Sequence, residues 1–286
     1  MIVDAHCDTM VKCPSADDFR HGGGGCHIDL PGLIEADVEH LVTAICIEPY
    51  PDRYSEVWVH GVSNYRESSR NSGEVALHFA LEGCLPLYLG YEMPSTPLVA
   101  SLTWNGDNPY ASGIGGTGEL TREGVLLAGT LHAQGTRLDV SHLNDQSRRG
   151  LLTLGFPVCA THCNARKLCD TPRNLPDQDI REIALMGGVV GVTLVPDFLR
   201  NDGGKADVSD VVRHIDHVAE VAGIHGVGLG SDFDGIRDLP RGIRGVRDIG
   251  VVFEELSRLG WKDEDVNKVA FGNWIRFFSL ETEDSP

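Results

Sequence analysis

Histidine and carboxylate side chains follow several short apolar runs of the sequence. His6 and Asp8 stand two residues apart after the first run, and His142 and His162 follow two later runs. Imidazole nitrogens and carboxylate oxygens bind Zn²⁺ and related divalent ions at about 2.0–2.2 Å. Since residues i and i+2 of a strand point to the same side, His6 and Asp8 can share one ion while Cys7 points away.

His142 and His162 could hold a second ion. Two cations a few ångströms apart repel each other, so an anionic group is expected between them. Glu82, which follows the apolar run 75–81, is the candidate bridging carboxylate. Hydrolases with two metal ions hold them about 3.5–4 Å apart and use them to activate water. The residue types therefore predict a metal-dependent hydrolytic site.

The ligands can meet only if the fold brings distant parts of the chain together. Eight apolar runs alternate with helical patterns, and the runs are nearly continuous, which is typical of parallel strands buried on both faces. The predicted strands are Ile2–Ala5, Leu41–Ile47, Val75–Leu81, Leu98–Trp104, Thr136–Val140, Pro157–Thr161, Val189–Val195 and Gly226–Gly230. The predicted helices are Val57–Ser69, Thr121–Ala133, Asn144–Leu152, Asp177–Met186, Val208–Ala222, Asp248–Leu259 and Asp263–Phe278. Between the third and fourth strands, Cys84–Pro97 shows no helical pattern.

This alternation predicts one α/β domain over residues 1–286, a (β/α)8 TIM-like barrel, with a doubly wound open sheet as the alternative. A barrel places the carboxyl ends of its strands on one rim, where barrel enzymes keep their active sites. We therefore expect the five ligands to converge at that rim. Asp232, which follows the eighth predicted strand, is expected there as well.

Composition and charge exclude several classes of protein. Apolar residues are 41% and charged residues 23% of the chain, which is typical of a globular protein rather than a disordered or fibrous one. The net charge of −18 argues against a nucleic-acid partner, because phosphate contacts need clustered lysine and arginine. Neither a membrane span nor a signal peptide is visible. We expect a cytoplasmic enzyme with no membrane contact, reduced cysteines and a solvated acidic segment at 281–284.

Eight short motifs follow one another along the chain from residue 4 to about residue 276. They are Asp4-Ala5-His6-Cys7-Asp8, His27-Ile28-Asp29-Leu30-Pro31, Leu81-Glu82-Gly83, Leu102-Thr103-Trp104-Asn105, Asp139-Val140-Ser141-His142, His162-Cys163-Asn164-Ala165-Arg166, Pro172-Arg173-Asn174-Leu175-Pro176 and Gly230-Ser231-Asp232-Phe233-Asp234-Gly235. In this order they resemble the membrane (renal) dipeptidase family of zinc peptidases, in the amidohydrolase superfamily. The His-x-Asp motif is common to many amidohydrolases, whereas the Arg-Asn-Leu-Pro and Ser-Asp-Phe-Asp-Gly motifs are much more specific.

The resemblance implies a distorted (β/α)8 barrel with two Zn²⁺ ions bridged by Glu82 and a water or hydroxide. By position, the first ion would be bound by His6, Asp8 and Glu82. The second ion would be bound by Glu82, His142 and His162. The bridging hydroxide would attack a scissile carbonyl polarised by zinc.

The resemblance also implies roles for residues around the metals. Asp232 would accept a proton and return it to the leaving amine. Arg173 would hold the C-terminal carboxylate of the substrate, since its planar guanidinium can bind a carboxylate through two hydrogen bonds. We expect Trp104 and Asn105 to contact the substrate too. The implied substrates are dipeptides, including those with a D-residue at the C-terminal side, and family members are often homodimers.

Two departures from the family pattern leave the substrate open. Trp104 stands where animal members carry a histidine, and indole can only donate a hydrogen bond. The segment from Glu82 to Trp104 is also short for the family. The alternative is therefore a binuclear-metal amidohydrolase acting on a β-lactam, lactone or N-acyl amino acid. A non-catalytic metal-binding barrel is disfavoured because Asp232 and the ligands are present.

One further motif, in residues 113–118, matches G-x-G-x-x-G. A dinucleotide site would require a strand before it and a helix opening within it. Residues 108–112, Asn-Pro-Tyr-Ala-Ser, are typical of a loop instead. We therefore expect a loop at the barrel mouth.

Overall fold

Eight parallel strands form the centre of the structure, a computed structural model that describes residues 1–280. The strands are β1 (Ile2–Cys7), β2 (Val38–Ile45), β3 (Ala76–Glu82), β4 (Val99–Ser101), β5 (Arg137–Asp139), β6 (Val158–Cys159), β7 (Val190–Val192) and β8 (Val227–Leu229). All eight predicted strands are present, and most are shorter than predicted. The acidic segment 281–284, predicted to be solvated, lies outside the described residues.

The sheet curls into a distorted barrel. Strands β1 to β6 pair in chain order, and β7 pairs with β8. Single bridges join the two parts, between Ala160 and Val190 on one side and between Cys7 and Phe233 on the other. A doubly wound sheet would reverse its strand order. The predicted (β/α)8 barrel is therefore confirmed, and the alternative of an open doubly wound sheet is wrong.

Helices surround the barrel. They are α1 (Thr9–Lys12), α2 (Ala16–His21), α3 (Leu30–Glu35), α4 (Tyr54–Arg70), α5 (Leu85–Tyr88), α6 (Arg122–Ala133), α7 (Asp145–Leu152), α8 (Asp177–Leu185), α9 (Pro196–Leu199), α10 (Val208–Ala222), α11 (Gly250–Arg258), α12 (Asp263–Asn267) and α13 (Asn273–Phe278). Ile224–Gly226 and Val246–Asp248 are 3₁₀ turns. Of the residues described, no helix combines the length and apolar character needed to cross a membrane.

The predicted helices are present, with one correction at the end of the chain. The helix predicted over Asp263–Phe278 is interrupted by a π-helical turn at Lys268–Gly272. The short helices α1, α2, α3, α5 and α9 were not predicted, because four to six residues are too few to display a helical period.

A bulge in β1 decides which side chains face the inside of the barrel. Asp4 pairs with Leu41 and Cys7 with Thr43, so three steps on β1 match two steps on β2. One extra residue reverses the alternation of side chains. Accordingly Ala5 packs in the inner cluster of strand residues, whereas Cys7 packs outward among the helices. The bulge therefore allows His6 to face inward although Ala5, its neighbour, does so too.

The end of the barrel opposite the predicted site is closed by the last helix. Trp274 of α13 is fully buried, and its indole N–H donates to the Leu229 carbonyl at 2.9 Å. A Cβ on Gly228 would lie 2.3 Å from the Trp274 indole nitrogen. Glycine is thus required in β8 for the indole to lie against the sheet.

Helix α10 carries a buried histidine that connects the loop after β6 to helix α9. His214 Nδ1 accepts the backbone N–H of Ala165 at 3.1 Å, and Nε2 donates to the Leu199 carbonyl at 3.0 Å. Burial lowers the pKa of His214 to about 4. These contacts give His214 a structural role in the packing of the barrel.

This pKa predicts a dependence of stability on pH. The unfolded chain binds a proton at His214 near pH 6.5 and the folded chain only near pH 4, so the free energy of unfolding falls as pH decreases through this window. We expect His214 to contribute a loss of about 2 kcal/mol between pH 7 and pH 5. Urea unfolding should show a weaker pH dependence in His214→Gln than in wild type. His225→Gln, at an exposed site, should keep the wild-type dependence; equal slopes in all three proteins would contradict the expectation.

Candidate metal centre and active site

Residues at or after the carboxyl ends of all eight strands line a cavity of about 680 Å³ at the barrel mouth. Two of the predicted residues, His6 and His162, are almost fully buried, and the other four line the cavity. The structure brings together the predicted acid/base residue, Asp232, and the five predicted ligands, His6, Asp8, Glu82, His142 and His162.

His6 Nε2 faces three carboxylates. It lies 3.6 Å from Asp8 Oδ2, 3.7 Å from Glu82 Oε1 and 3.9 Å from Asp232 Oδ1. The nitrogen is buried and has no hydrogen-bond partner in the part of the chain that is described. Since buried polar atoms normally have partners, an unpartnered nitrogen among carboxylates indicates a site for a cation.

Glu82 connects this group to two more imidazoles. Glu82 Oε1 lies 2.6 Å from His142 Nε2 and 3.5 Å from His162 Nε2, and those nitrogens are 2.9 Å apart. One carboxylate oxygen is thus within 3.7 Å of the Nε2 atoms of all three histidines. This is the position expected of a carboxylate shared between two ions.

The distances and the donor types fit a metal centre. Two overlapping groups, one of His6, Glu82 and His162 and one of His6, Asp8 and Asp232, each place their ligand atoms within 4.8 Å of one another. Ligand atoms bound to one tetrahedral ion lie about 3.4 Å apart, given bonds of about 2.1 Å. The separations of 2.6 to 3.9 Å bracket that value. Imidazoles with carboxylates suit Zn²⁺ or a similar divalent ion.

Burial and crowded charge shift the acidity of these groups. Although burial lowers the pKa of His6, the carboxylates of Asp8, Glu82 and Asp232 raise it to about 10. Burial raises the pKa of Asp232 well above its usual value, and the two other carboxylates add to this shift. Burial holds the pKa of His142 well below its usual value. His142 is thus neutral at pH 7, the form that binds metals, whereas metal binding at His6 releases a proton.

The site contains left-handed backbone at residues other than glycine. His142 has φ of +70°, Asp232 of +63° and Asp234 of +68°. Such conformations are uncommon for residues with a Cβ and concentrate at functional sites, where surrounding contacts hold them. The backbone N–H of Asp232 donates to the His6 carbonyl at 3.0 Å. This bond ties the acid/base candidate to the strand that carries the first ligands.

His27 and Asp234, which were not predicted as site residues, hold the Asp232 turn. The His27 N–H donates to Asp234 Oδ1 at 2.7 Å, and the Asp234 N–H donates to His27 Nδ1 at 3.0 Å. The Thr9 hydroxyl donates to Asp234 Oδ2 at 2.7 Å. Because His27 Nδ1 accepts, the neutral ring carries its proton on Nε2. Both residues belong to motifs quoted above, but no sequence pattern shows that they form hydrogen bonds with each other.

Trp104 and Asn105 line the cavity beside His142. The rings of Trp104 and His142 are 5.9 Å apart. Asn105 Oδ1 accepts a hydrogen bond from His142 Nδ1 at 2.8 Å, so Asn105 orients a candidate ligand. The predicted contacts of Trp104 and Asn105 with substrate remain predictions.

Glu48 supports this wall and was also missed. Its carboxylate accepts hydrogen bonds from the Trp104 backbone N–H at 3.2 Å, from the Thr103 hydroxyl at 3.1 Å and from Asn108 at 3.1 Å. A Cβ on Gly83 would lie 2.2 Å from Glu48 Oε1, so glycine is needed there. Glu48 directly follows the second predicted strand. It could therefore have been predicted as a site residue, because residues at the carboxyl ends of barrel strands lie at the active-site rim.

Arg173 is buried among the ligands without a carboxylate partner in residues 1–280. Its Nη2 donates to His142 Nε2 at 3.0 Å, and its Nη1 donates to Cys163 Sγ at 3.3 Å. The guanidinium carbon lies 5.3 Å from the centre of the Phe198 ring. Since buried charges are normally paired, this arginine fits an anionic group bound in the cavity.

A second arginine braces the loop that carries Arg173. Arg166 donates to both carboxylate oxygens of Asp145, at 2.8 and 2.9 Å, and to the Asn174 carbonyl at 2.9 Å. The Arg166 hydrogen bond lowers the pKa of Asp145 well below its usual value. The ion pair therefore fixes the backbone next to Arg173. Arg166 stands in a predicted motif, but its role was not predicted.

Known proteins match most of this chain. The family model described as membrane dipeptidase (peptidase family M19) matches residues 95–284. An uncharacterized protein from the pqqA 5′ region of Klebsiella pneumoniae is 37% identical over 185 residues, which cover 60% of this chain and 68% of that protein. Dipeptidase 3 of Homo sapiens is 33% identical over 185 residues, which cover 64% of this chain and 37% of that protein. The chain thus spans little more than a third of the human relative.

A solved structure shares the fold over nearly the whole chain. The metallopeptidase from Rhodobacter sphaeroides, liganded with a phosphinate mimic of the dipeptide L-Ala-D-Ala, gives a TM-score of 0.83 at 22% identity. The match covers 97% of this chain and 98% of that chain. At this identity the likeness shows the fold alone.

The geometry predicts that metal binding depends on Glu82 and not on Glu48, a second glutamate near the cavity wall. Glu82→Gln should weaken Zn²⁺ affinity by more than about 100-fold, the upper range for losing a partner of a ligand, because it removes the shared charge. Glu48→Gln is the matched control, since its carboxylate contacts the Trp104 wall and no candidate ligand. Titration against a chelator of known affinity measures both. Equal affinities in the two variants would contradict the assignment.

Proposed function

Because the chain belongs to the membrane dipeptidase (peptidase M19) family, we propose that it is a metal-dependent dipeptidase that hydrolyses the peptide bond of dipeptides. The observation that carries this proposal is the position of Glu82 Oε1 among three imidazoles, next to buried Arg173. A dipeptide offers a carbonyl to the metal side of the cavity and a carboxylate to the arginine. The cavity volume of about 680 Å³ suits a small ligand.

The proposed centre holds two Zn²⁺ ions. His6, Asp8 and Glu82 would bind one, and Glu82, His142 and His162 the other. When bound, the ions would polarise the scissile carbonyl and lower the pKa of the attacking water. The unpartnered His6 Nε2 and the mixed imidazole and carboxylate donors support a metal centre at this place. The distances of 2.6 and 3.5 Å from Glu82 Oε1 to His142 and His162 support the second set of ligands.

Asp232 is the proposed proton carrier. Its carboxylate lines the cavity and lies 3.9 Å from His6 Nε2, beside the place where the bond would break. Burial raises its pKa well above the usual value. A carboxylate with a raised pKa can hold the proton taken from water and then release it to the leaving amine. The hydrogen bonds of His27 and Asp234 keep its turn in place.

Arg173 is proposed to bind the C-terminal carboxylate of the substrate through two parallel hydrogen bonds. Its contact with His142 places that carboxylate next to the metal ligands. Trp104 would cover the bound dipeptide and offer an indole N–H, and Asn105 would contact the substrate while it orients His142. Together these residues would form the wall against which the dipeptide lies.

The proposed substrates include dipeptides whose C-terminal residue has the D-configuration. The Rhodobacter metallopeptidase with the same fold was crystallised with a mimic of L-Ala-D-Ala. Arg173 recognises a carboxylate, which both enantiomers provide. A comparison of L-Ala-D-Ala with L-Ala-L-Ala in steady-state kinetics determines the preference.

A second candidate function is hydrolysis of a β-lactam, a lactone or an N-acyl amino acid by the same metal centre. The observation that favours it is Trp104 in the cavity wall, where animal members of the family carry histidine. A panel of dipeptides and N-acyl amino acids separates the two functions. Equal activity on compounds without a free amino group would favour the second.

We also propose that residues 1–286 form one hydrolase domain, that the enzyme is a homodimer in the cytoplasm, and that it binds neither nucleic acid nor membranes. The net charge of −18 supports the absence of a nucleic-acid partner. All eight cysteines are unpaired, and most are buried, which suits a reducing compartment. Light scattering coupled to size-exclusion chromatography measures the number of chains.

Replacement of Asp232 tests proton transfer apart from metal binding. Asp232→Asn should keep the metal content of wild type and lower kcat by about 10²–10⁴-fold, because the amide cannot accept the proton. Asp238→Asn, an exposed site in the same segment, is the control and should keep full kcat. Turnover at the wild-type rate by metal-loaded Asp232→Asn would eliminate this role.

Replacement of Arg173 tests recognition of the carboxylate. Wild type should prefer a dipeptide over its C-terminal amide, and Arg173→Met should reduce this preference by about 10- to 100-fold in kcat/KM, the range for a lost hydrogen bond to a charged group. Arg149→Met, an exposed arginine, should leave the preference unchanged. The role is wrong if Arg173→Met retains the wild-type preference.

A further inference from the structure

A single buried hydroxyl lies beneath the candidate metal ligands. Thr161 Oγ1 is 2.5 Å from Asp139 Oδ2, 2.8 Å from His162 Nδ1 and 3.4 Å from His6 Nδ1. Thr161 is fully buried, and Asp139 is 4% exposed. These contacts lie on the side of both imidazoles that faces away from the cavity carboxylates.

The hydroxyl proton can be assigned by counting donors. Asp139 Oδ1 already accepts the backbone N–H groups of Ser141 at 2.8 Å and of Thr161 at 3.0 Å. A carboxylate has no proton to donate, and a hydroxyl has only one. The Thr161 hydroxyl therefore donates to Asp139 Oδ2, and only its lone pairs face the imidazoles.

This assignment fixes the proton of His162. At 2.8 Å, an unprotonated Nδ1 would place a nitrogen lone pair against an oxygen lone pair, so Nδ1–H must donate to Thr161 Oγ1. The neutral ring then carries its lone pair on Nε2, which lies 2.9 Å from His142 Nε2 and 3.5 Å from Glu82 Oε1. That is the form required to bind a cation. Because His142 Nε2 already accepts from Arg173, the two imidazole lone pairs face each other, and a cation bound between them would relieve this repulsion.

His6 shares the same acceptor by a longer contact. Its ring stacks on the ring of His162, with centres 3.7 Å apart and planes 28° apart. Nδ1 of His6 is directed to the remaining lone pair of Thr161 Oγ1 at 3.4 Å. The hydroxyl therefore contacts one ligand of each proposed ion.

We propose that Thr161, held by Asp139, is a positioning residue that sets the tautomer of His162, and more weakly that of His6, so that each Nε2 is free to bind metal. The inference rests on the proposed metal centre and adds two residues to it. One hydroxyl thus contacts a ligand of each proposed ion. Because Asp139 accepts the Thr161 hydroxyl proton, Thr161 Oγ1 can only accept hydrogen bonds from the two imidazoles.

The tautomer can be measured without metal or substrate. In metal-free protein labelled with ¹⁵N-histidine, NMR should show His162 protonated on Nδ1 and unprotonated on Nε2. The signal is assigned by its loss in His162→Gln. Protonation on Nε2 in wild type would overturn the proposal, whether or not the protein hydrolyses dipeptides.

Asp139→Asn reverses the chain of hydrogen bonds. The side-chain oxygen of Asn keeps the two backbone N–H groups, so its NH₂ must face Thr161 Oγ1 and donate to it. The Thr161 hydroxyl then donates to His162 Nδ1 and moves the imidazole proton to Nε2. The NMR spectrum should show this second tautomer, although His162 and Thr161 are unchanged. A spectrum with the wild-type tautomer would overturn the role of Asp139.

Zn²⁺ affinity, measured by chelator competition, supplies the second readout. Thr161→Val should weaken binding by about 10- to 100-fold, the range for loss of a partner of a ligating histidine, and Thr161→Ser should restore it to within about threefold. Thr193→Val is the matched control, since Thr193 is also fully buried and its hydroxyl donates to the Ser231 carbonyl. Wild-type affinity in Thr161→Val, or an equal loss in Thr193→Val, would overturn the proposal. A wild-type protein that binds no Zn²⁺ would instead refute the proposed function.

Discussion

One carboxylate oxygen facing three buried imidazole nitrogens is the interaction on which the rest of the structure depends. Glu82 lies within 3.7 Å of His6, His142 and His162, and the carboxylates of Asp8 and Asp232 are also within 4 Å of His6. Carboxylates gathered around one imidazole repel one another and lose part of their hydration. Divalent cations offset both costs. The arrangement is therefore best understood as a centre whose charges are balanced by bound metal.

The fold holds this centre from below and from the sides. The bulge in β1 lets His6 face the barrel axis, and the C-terminal helix fills the opposite end. Asp139, which is buried, and Glu48, which is partly buried, bind no ion in the proposed assignment. Asp139 orients ligands through Thr161, and Glu48 holds the wall that carries Asn105. Rigid support of this kind is what a site needs if its reacting groups are to stay aligned.

Residue types and their places after apolar runs predicted a barrel, with an open sheet as the alternative, and the candidate ligands that lie together at its mouth. The strands could be predicted because parallel strands buried on both faces have nearly continuous apolar runs. The residues that meet could be predicted because a barrel places the carboxyl ends of its strands on one rim. Three features could not be predicted. The β1 bulge depends on the register between strands, the left-handed turn at Asp232 depends on contacts with His27, and the tautomers depend on partners such as Asn105. Each is a tertiary relation between residues distant in the chain.

Anomalous X-ray diffraction at the zinc edge, from crystals grown with Zn²⁺, tests the shared role of Glu82 most directly. Two peaks are expected on either side of the Glu82 carboxylate, about 3.5–4 Å apart, one next to His6 and Asp8 and the other next to His142 and His162. A single peak that Glu82 does not contact, or peaks that lie only at surface residues, would contradict the two-ion centre.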